Sequence, residues 1–245
     1  MDTTIDVHDV TKAYAGHTVL DSVSFTVPPG RVVAFLGPNG SGKSTTLRIL
    51  LGLAKANAGS ATIGDLPYAA LATPARTVGV MMDNAGLHPG RTAAQHLRIA
   101  ALASDIDPRR IQAVLATVGL DTVAGRKIKT FSLGMKQRLG LAAALLGNPK
   151  ILVLDEPANG LDPQGVHWLR DFLRSFANEG GSVLVTSHIL AEVEQVADDV
   201  VLIDRGRVVA SGPIHELIEL NSLEHYYLSV LGRPAEALSM GEVTR

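Results

Sequence analysis

The stretch GPNGSGKST at residues 37–45 constrains the fold of this chain more than any other feature. It satisfies the pattern GxxxxGK[ST] and stands between a mostly apolar run at 31–36, which has strand length, and a helix-like run at 46–51. A phosphate-binding loop requires this order of strand, glycine-rich loop and helix. The alternative is a glycine-rich turn with a chance lysine, which needs no such flanking elements. The sequence therefore predicts a site for the phosphates of a nucleotide.

The residue types in this loop suit phosphate oxygens. Its glycines let the backbone adopt dihedral angles closed to other residues, so that successive N–H groups turn inward. The helix that follows adds the positive end of its dipole. Lys43 can reach the β and γ phosphates, and the Ser44 hydroxyl can ligate Mg²⁺. The predicted contacts in the loop are Gly37, Pro38, Asn39, Gly40, Ser41, Gly42, Lys43, Ser44 and Thr45.

A second apolar run ends in two carboxylates. Residues 151–154 read ILVL, the pattern of a central parallel strand covered on both faces, and Asp155 and Glu156 follow directly. A carboxylate at a strand end beside a phosphate-binding loop can hold Mg²⁺, which makes Asp155 the predicted metal residue. Glu156 can orient the attacking water or accept its proton. The alternative for Asp155 is a cap on the turn before Pro157.

Composition narrows the class of protein. The chain has 245 residues, of which 46 % are hydrophobic, so it can bury the core of a domain. A net charge of −2 gives no broad basic field, and we expect no nucleic-acid partner. Cysteine is absent, which excludes disulfides and thiolate metal sites. We see no apolar core of a signal peptide and no run near the ~18 apolar residues of a membrane span.

Strand-like and helix-like segments alternate along the chain. We predict strands at 5–10, 18–20, 23–27, 31–36, 60–63, 78–82, 151–154 and 182–186, and a hairpin of 199–204 with 207–210. We predict helices at 46–51, 92–102, 108–118, from Ser132 to 146, after Pro163, and at 189–197. Helical spacing after Pro163 assigns four residues to the core: Leu169, Phe172, Leu173 and Phe176. The alternation predicts an α/β fold with a mostly parallel sheet.

The segment FSLGMKQR at 131–138 carries a resemblance to a known family. It is similar to the signature motif of the ATP-binding subunits of ABC transporters, and with GPNGSGKST and ILVLDEP the likeness covers nearly the whole chain. The resemblance implies a P-loop NTPase fold with an N-terminal antiparallel β subdomain and an inserted α-helical subdomain. It also implies that Ser132 and Gly134 contact ATP held by the opposite subunit of a head-to-tail pair.

Three further positions match the family's pattern. The segment NGLD at 159–162 resembles the loop that crosses the dimer interface, which makes Asp162 a candidate contact. His188 resembles the switch histidine that bonds the γ phosphate, and a solvated helix-cap residue is the alternative. Tyr14 lies where the family places an aromatic ring against adenine, and a ring packed on the core is the alternative. The other histidines lack such a context, and we expect them at the surface.

The chain departs from the common pattern in two places. Phe131 and Leu133 stand where many members carry leucine and glycine, a variant similar to the branch that exports drugs, antibiotics or lantibiotic peptides. Asp83 occupies the position at which the family has glutamine, in the loop after the strand at 78–82. Asp83 is a candidate contact to Mg²⁺ or water, and an ordinary loop aspartate is the alternative.

The resemblance implies an ATPase that uses Mg²⁺, dimerises on ATP and drives a separate transmembrane permease, as part of an exporter. We expect a homodimer or a paired ATPase subunit, held through the permease at the cytoplasmic face of the cell membrane. One nucleotide-binding domain is expected over 1–215, with a helical subdomain at about 85–147. The tail at 216–245 is either the amphipathic tail of the exporter branch or an ordinary packing helix.

Other functions remain open from the sequence. One is a soluble ABC ATPase that acts on ribosomes or DNA, and another is the ATPase subunit of an importer. A third is an ATP sensor without turnover, against which Glu156 and His188 argue.

Overall fold

The structure is a computed structural model that describes residues 3–82, 86–218 and 222–231. Its strands are β1 (Ile5–Tyr14), β2 (His17–Val27), β3 (Val32–Leu36), β4 (Ala58–Ile63), β5 (Val78–Met81), β6 (Ile151–Leu154), β7 (Ser182–Thr186), β8 (Asp199–Asp204) and β9 (Arg207–Pro213). Its helices are α1 (Lys43–Leu50), α2 (Pro74–Thr77), α3 (Ala93–Ala103), α4 (Arg110–Thr117), α5 (Leu133–Leu145), α6 (Pro163–Asn178), α7 (Leu190–Val196), α8 (Ile214–Ile218) and α9 (Leu223–Leu231). Helices α3 to α5 thus lie between β5 and β6 in the sequence.

The central sheet has six strands in the order β5-β6-β7-β3-β8-β9. Neighbouring strands are parallel from β5 to β8, and β9 runs antiparallel to β8. The carboxyl ends of β3, β6 and β7 therefore meet at one edge of the sheet, with β7 in the middle. Ligands of open α/β sheets bind outside this edge. The predicted α/β fold with a mostly parallel sheet is confirmed.

Side chains of β3 alternate between two cores. Val32, Ala34 and Leu36 belong to the core that includes residues of α3 to α7, whereas Val33 and Phe35 pack with α1 and the N-terminal strands. All of these side chains have 0 % exposure. A strand covered on both faces is apolar at every position, which explains why the run before the phosphate-binding loop is unbroken.

A smaller antiparallel sheet has the order β2-β1-β4, which confirms the expected N-terminal antiparallel part. The prediction of two separate strands in the β2 region is wrong. Between the pairs Val10–Val23 and Lys12–Leu20, two steps along β1 correspond to three along β2. The extra residue forms a bulge in which Ser22 has a φ of 52°. Polar residues at a bulge interrupt the alternation in the sequence as a turn would.

The helices between β5 and β6 begin at polar caps. Thr92 and Gln95 form a reciprocal capping box at the start of α3, with hydrogen bonds of 2.9 and 3.1 Å. Ser132 caps α5, as predicted, because its Oγ accepts the Met135 N–H at 3.2 Å. The helix that carries the signature segment therefore begins at the residue that the sequence indicates.

Helix α6 is less buried than its sequence pattern predicts. Leu169 and Leu173 are buried, but Phe172 and Phe176 are half-buried and line a cavity of about 180 Å³ with residues of α4 and α5. Trp168 stacks on Phe172, with 5.7 Å between ring centroids. The prediction that both phenylalanines are core residues is thus wrong in degree. Helical spacing identifies the apolar stripe but not how much of it the neighbouring helices cover.

After α7 the chain returns to the sheet as β8 and β9, and α9 then packs against α7. Strands β8 and β9 form the predicted hairpin, in which Arg205 and Gly206 have φ values of 45° and 80°, as a two-residue turn requires. In α9, Leu223 is fully buried, and its N–H donates to Glu194 Oε2 of α7 at 3.0 Å. These contacts favour the packing-helix interpretation for the described part of the tail.

Candidate active site

The phosphate-binding loop connects β3 to α1, and its glycines are required by space as well as by conformation. A Cβ on Gly37 would lie 2.1 Å from the carbonyl oxygen of Ile203, and one on Gly42 would lie 2.4 Å from Leu20 Cδ2. Gly42 also has a φ of 113°. Gly40 has a φ of 80° but faces open space. Packing therefore restricts both ends of the loop and leaves Gly40 in its middle open. The first N–H groups of α1, directly after the loop, lack intrahelical partners.

Lys43 lies over this loop. Its side chain is buried, and Nζ donates to the carbonyl oxygens of Gly37 at 2.6 Å and Pro38 at 3.1 Å. Burial lowers the pKa of Lys43, and the charges of Glu156 and Asp155 oppose this effect. The ammonium group is thus held near the loop by bonds that it can exchange for phosphate oxygens.

Asp155, directly after β6, contacts two other elements. Its Oδ2 accepts a hydrogen bond from Ser44 Oγ at 3.1 Å, and its Oδ1 accepts one from Thr186 Oγ1 at 2.6 Å. The residue is 5 % exposed. Both bonds join the carboxylate to residues far away in the sequence. Its oxygens therefore do not cap the turn before Pro157, which was the alternative role.

Glu156 takes an unusual backbone conformation. Its φ is 51°, in the left-handed region, and its N–H donates to Thr186 Oγ1 at 2.9 Å. The side-chain Oε2 lies 2.7 Å from Nδ1 of His188. His188 is therefore paired with the carboxylate and does not cap α7, whose cap residue is Ile189. The arrangement presents the Glu156 carboxylate beside the loop with its orientation fixed by the histidine.

A cavity of about 520 Å³ opens at this edge of the sheet. Its volume is within the usual range of small-molecule sites. It is lined by Val19, Asn39, Gly40, Gly42, Lys43, Ser44, Thr45, Asp155, Glu156, Asn159 and His188. The predicted residues Gly37, Pro38 and Ser41 belong to the same loop without lining the cavity. The loop, the two carboxylates and the histidine, from three separate parts of the sequence, thus surround one space.

The donor set fits a metal shared with phosphate. Within the described ranges, no group of three or more His, Cys, Asp or Glu side chains could hold a metal ion. Mg²⁺ in phosphate-transfer sites is usually held by few protein oxygens together with substrate phosphates and water. The adjacent oxygens of Ser44 and Asp155 provide such a partial set beside the loop.

Tyr14 lies at the end of β1, outside the residues that line the cavity. It is 48 % exposed, so the alternative of a ring packed on the core is wrong. Lys12 Nζ lies 4.7 Å from the ring centroid and donates to the carbonyl oxygen of Lys55 at 2.7 Å. The ammonium group of Lys12 occupies one face of the exposed ring, and the other face is available to a planar partner.

Three other predicted contacts also lie outside the cavity lining. Ser132 Oγ is used in capping α5, and Asp162 Oδ1 caps α6 by accepting the Gly165 N–H at 2.8 Å. A Cβ on Gly134 would lie 2.9 Å from the carbonyl oxygen of Gly160. The signature segment therefore contacts the loop before α6 in its own chain, while its candidate ligand groups are apart from the phosphate-binding loop.

Some residues of the site were not predicted from the sequence. Val19 and Asn159 line the cavity, and Thr186 bonds both the Asp155 carboxylate and the Glu156 backbone N–H. Thr186 could have been found because it is the polar residue that ends the apolar strand at 182–186, beside the strand that carries Asp155. Asp83 lies outside the described residues.

One histidine does not lie at the surface, where the sequence predicts it. His96 on α3 is half-buried, and its Nδ1 is buried without a hydrogen-bond partner among the residues described. Burial and the charge of Arg91 lower the pKa of His96. The prediction that His96 lies at the surface is wrong, because the side of α3 that carries His96 faces neighbouring residues. The apolar pattern of the helix alone does not indicate this.

In the part of the chain that the structure covers, none of the helices combines the length and the apolar character that crossing a membrane demands.

Comparison with known proteins gives the family. The profile described as ABC transporter matches residues 20–159. The chain belongs to the ABC transporter family. Among curated proteins, lantibiotic transport ATP-binding protein SrtF of Streptococcus pyogenes is 37 % identical over 205 residues, covering 84 % of this chain and 89 % of that protein. Bacitracin transport ATP-binding protein BcrA of Bacillus licheniformis is 39 % identical over 224 residues, covering 90 % and 73 %.

Solved structures agree with this placement. One described as the ATP-binding subunit of an ABC transporter is 31 % identical, with a TM-score of 0.84, and the match covers 94 % of this chain and all of that one (100 %). A dimeric ATP-binding cassette in a post-hydrolysis state, bound to ADP and Pi, is 24 % identical with a TM-score of 0.78, covering 85 % and 98 %; it shows the fold alone. The protein is thus an ATP-binding subunit of the ABC type, with the P-loop fold that the sequence predicts.

Proposed function

We propose that this chain hydrolyses ATP as the nucleotide-binding subunit of an ABC exporter and powers a separate transmembrane permease. The observation that carries the proposal is the single cavity lined by the phosphate-binding loop, by Asp155 and by the Glu156–His188 pair. These are the parts that in-line phosphoryl transfer to water requires: a phosphate cradle, a metal-holding carboxylate and a group that orients the nucleophile.

The loop and Lys43 bind the triphosphate. When ATP enters, Lys43 Nζ exchanges its bonds to the carbonyl oxygens of Gly37 and Pro38 for bonds to the β and γ phosphates. The ammonium and the N–H groups at the start of α1 then face the oxygens on which negative charge spreads in the transition state. Because these groups are already in position, little reorganisation accompanies the reaction.

Glu156 orients the attacking water and accepts its proton. For an ionised Glu156, the hydrogen bond at 2.7 Å requires the proton on Nδ1 of His188. The Nε2 atom of His188 is then free to bond the γ phosphate, as a donor when the ring is protonated. The histidine therefore restrains the carboxylate on one side and reaches the substrate on the other.

Ser44 and Asp155 would hold Mg²⁺ through the oxygens that now bond each other at 3.1 Å. Bound there with ATP, the ion supplies positive charge to the β and γ phosphate oxygens. Thr186 keeps the second oxygen of Asp155 occupied.

We propose that two copies, or this chain and a paired ATPase subunit, share two sites. Ser132 and Gly134 lie at the start of α5, apart from the cavity of their own chain, and the Ser132 hydroxyl can still donate to phosphate while it accepts the Met135 N–H. A second subunit, docked head to tail, would bring its α5 N-terminus to the open side of the loop. Asp162 and Tyr14 would then contribute from the interface and the adenine side.

The relatives support export as the direction of transport. The names of similar proteins specify lantibiotic transport, bacitracin transport and, for a Rhizobium etli protein that is 36 % identical over 222 residues (89 % of this chain, 70 % of that protein), Nod factor export. We propose one nucleotide-binding domain at 1–215 with a helical subdomain at about 85–147. A tail at 216–245 follows it. The subunit would work at the cytoplasmic face of the membrane, bound to its permease.

The test is a phosphate-release assay on the purified chain with and without its co-expressed permease. We expect Mg²⁺-dependent ATP turnover that Lys43→Ala abolishes, and stimulation by the permease in vesicles when an amphiphilic peptide antibiotic is present. Binding of ATP without any turnover, alone or with the permease, would instead identify a nucleotide sensor. Turnover stimulated by ribosomes or DNA and unaffected by the permease would identify a soluble ABC ATPase.

A further inference from the structure

We propose that Thr186 is a positioning residue for ATP hydrolysis, which holds the metal carboxylate and the catalytic glutamate in register. This inference rests on the proposed function. Thr186 ends β7, the strand between β6 and β3, and it is fully buried at 0 % exposure. Its hydroxyl is bonded to both residues that follow β6: the Asp155 side chain and the Glu156 backbone.

The proton positions follow from the partners. The Glu156 N–H can only donate, so Thr186 Oγ1 accepts this bond at 2.9 Å. The hydroxyl proton is then available for Asp155 Oδ1 at 2.6 Å, the length of a hydrogen bond from a hydroxyl to a carboxylate. A hydroxyl that accepts and donates at once polarises both bonds. The geometry thus requires an oxygen at residue 186.

Packing alone does not explain the residue type. The preceding residues Val183, Leu184 and Val185 are buried and apolar, and a valine at 186 would have nearly the shape of threonine. What valine lacks is the bond to Glu156, whose left-handed φ of 51° is unfavourable without local support. It also lacks the bond that fixes the plane of the Asp155 carboxylate, whose other oxygen faces Ser44.

This placement predicts two separable effects of losing the oxygen. The Asp155 carboxylate becomes free to rotate, which weakens metal binding beside the phosphates. The Glu156 backbone relaxes from its left-handed conformation, which displaces the group that orients water and lowers kcat. Binding of ATP without metal depends on the loop and Lys43, so it stays unchanged.

The test compares Thr186→Val with Thr186→Ser, which restores the hydroxyl, and with Ser182→Ala as the matched control. Ser182 begins the same strand, is equally buried at 0 % exposure, and donates to the carbonyl oxygen of Thr3 at 2.8 Å. It lies about 13 Å along the strand from Thr186. Measurements are steady-state phosphate release, ATP binding in EDTA, and Mn²⁺ binding by electron paramagnetic resonance with a non-hydrolysable ATP analogue.

We expect Thr186→Val to lower kcat and weaken Mn²⁺ binding by about 10- to 100-fold each, the usual effect of removing a residue that orients a metal ligand. Thr186→Ser should restore most of both, and Ser182→Ala should change neither. ATP binding in EDTA serves as the check that Thr186→Val is folded. Parent-like kcat and Mn²⁺ binding in folded Thr186→Val, or failure of Thr186→Ser to restore them, would overturn the inference. Absence of turnover in the parent chain with its permease would instead reject the proposed function.

Discussion

The carboxyl edge of the six-stranded sheet and the start of α5 in the helical segment use their polar side chains differently. At the sheet edge, hydrogen bonds join residues far apart in sequence, such as Ser44 with Asp155 and Thr186 with Asp155. In the helical segment, Ser132 bonds a residue in the first turn of its own helix. One region is therefore assembled by the fold of a single chain. The other presents candidate ligand groups that do not line the cavity of their own chain, as a site shared between two chains would require.

Glu156→Gln gives the largest expected effect, and it tests the catalytic role of the carboxyl edge of the sheet. The amide keeps the shape and can still bond His188, but it cannot accept a proton from water. We expect kcat to fall by about 10²- to 10⁴-fold with ATP binding retained. Phosphate release measures the loss, and gel filtration with ATP should show a long-lived dimer.

The control for this variant is Glu179→Gln, which makes the same change at an exposed glutamate at the end of α6. It should hydrolyse ATP like the parent. Turnover near the parent rate in Glu156→Gln would remove this residue from the catalytic role and leave the edge as a binding site.

Mixing two inactive chains tests whether the start of α5 completes a site in a second chain. Ser132→Asp keeps a good helix cap but places a carboxylate where the partner's phosphate would bind. Lys43→Ala removes the loop cation. Each chain alone should have little activity, whereas the mixture should recover about a quarter of the parent rate, because half of the dimers carry one intact site of two.

Ser132→Asp is a cleaner probe than Gly134→Asp, since a Cβ at Gly134 would lie 2.9 Å from Gly160 in the same chain. Such a side chain could disturb the loop before α6 in its own subunit. Parent-like turnover by Ser132→Asp alone would contradict the shared site.

The assembled edge was largely predictable from sequence, and the reason is physical. Unbroken apolar strands predict a parallel sheet, and such a sheet brings the carboxyl ends of its strands together. Asp155, which directly follows β6, and the loop from β3 to Lys43 could therefore be grouped from the sequence. Thr186 was missed because a threonine at the end of an apolar strand fits a β-strand for its shape alone.

Features that depend on what covers a surface could not be predicted. The bulge at Ser22 resembles a turn in the sequence, and the half-buried Phe172 and the half-buried His96 depend on the exact approach of neighbouring helices. Periodicity indicates which side of a helix is apolar, but not how much of that side the neighbouring helices bury. The positions of the signature residues relative to ATP depend on a second chain, which one sequence does not fix.

Tyr14→Ala gives a smaller expected effect at a residue that lies outside the cavity of the single chain. If the exposed ring stacks on adenine while Lys12 holds its other side, loss of the ring should weaken ATP binding by about 2- to 10-fold, with kcat almost unchanged. Tyr14→Phe keeps the ring and should bind like the parent. Equilibrium titration of a fluorescent ATP analogue measures both. Equal affinity of Tyr14→Ala and the parent would restrict the nucleotide contacts to the sheet edge.

His96→Gln gives the smallest expected effect and concerns the stability of the helical segment. Burial and Arg91 lower the pKa of His96 from its ordinary value of 6.5. Above pH 6.5 the folded and unfolded chains both carry a neutral ring. As the pH falls below 6.5, the unfolded chain takes up the proton first, so the free energy of unfolding decreases until the pH passes the lower pKa of the folded chain. Between pH 7.5 and 5.5, the unfolding midpoint of the parent should therefore fall further than that of His96→Gln. His17→Gln alters an exposed histidine on β2 and serves as the control, whose midpoint should follow the parent. Parallel pH profiles for the parent and His96→Gln would mean that the ring keeps its proton equilibrium on folding and does not make the helical segment sensitive to acid.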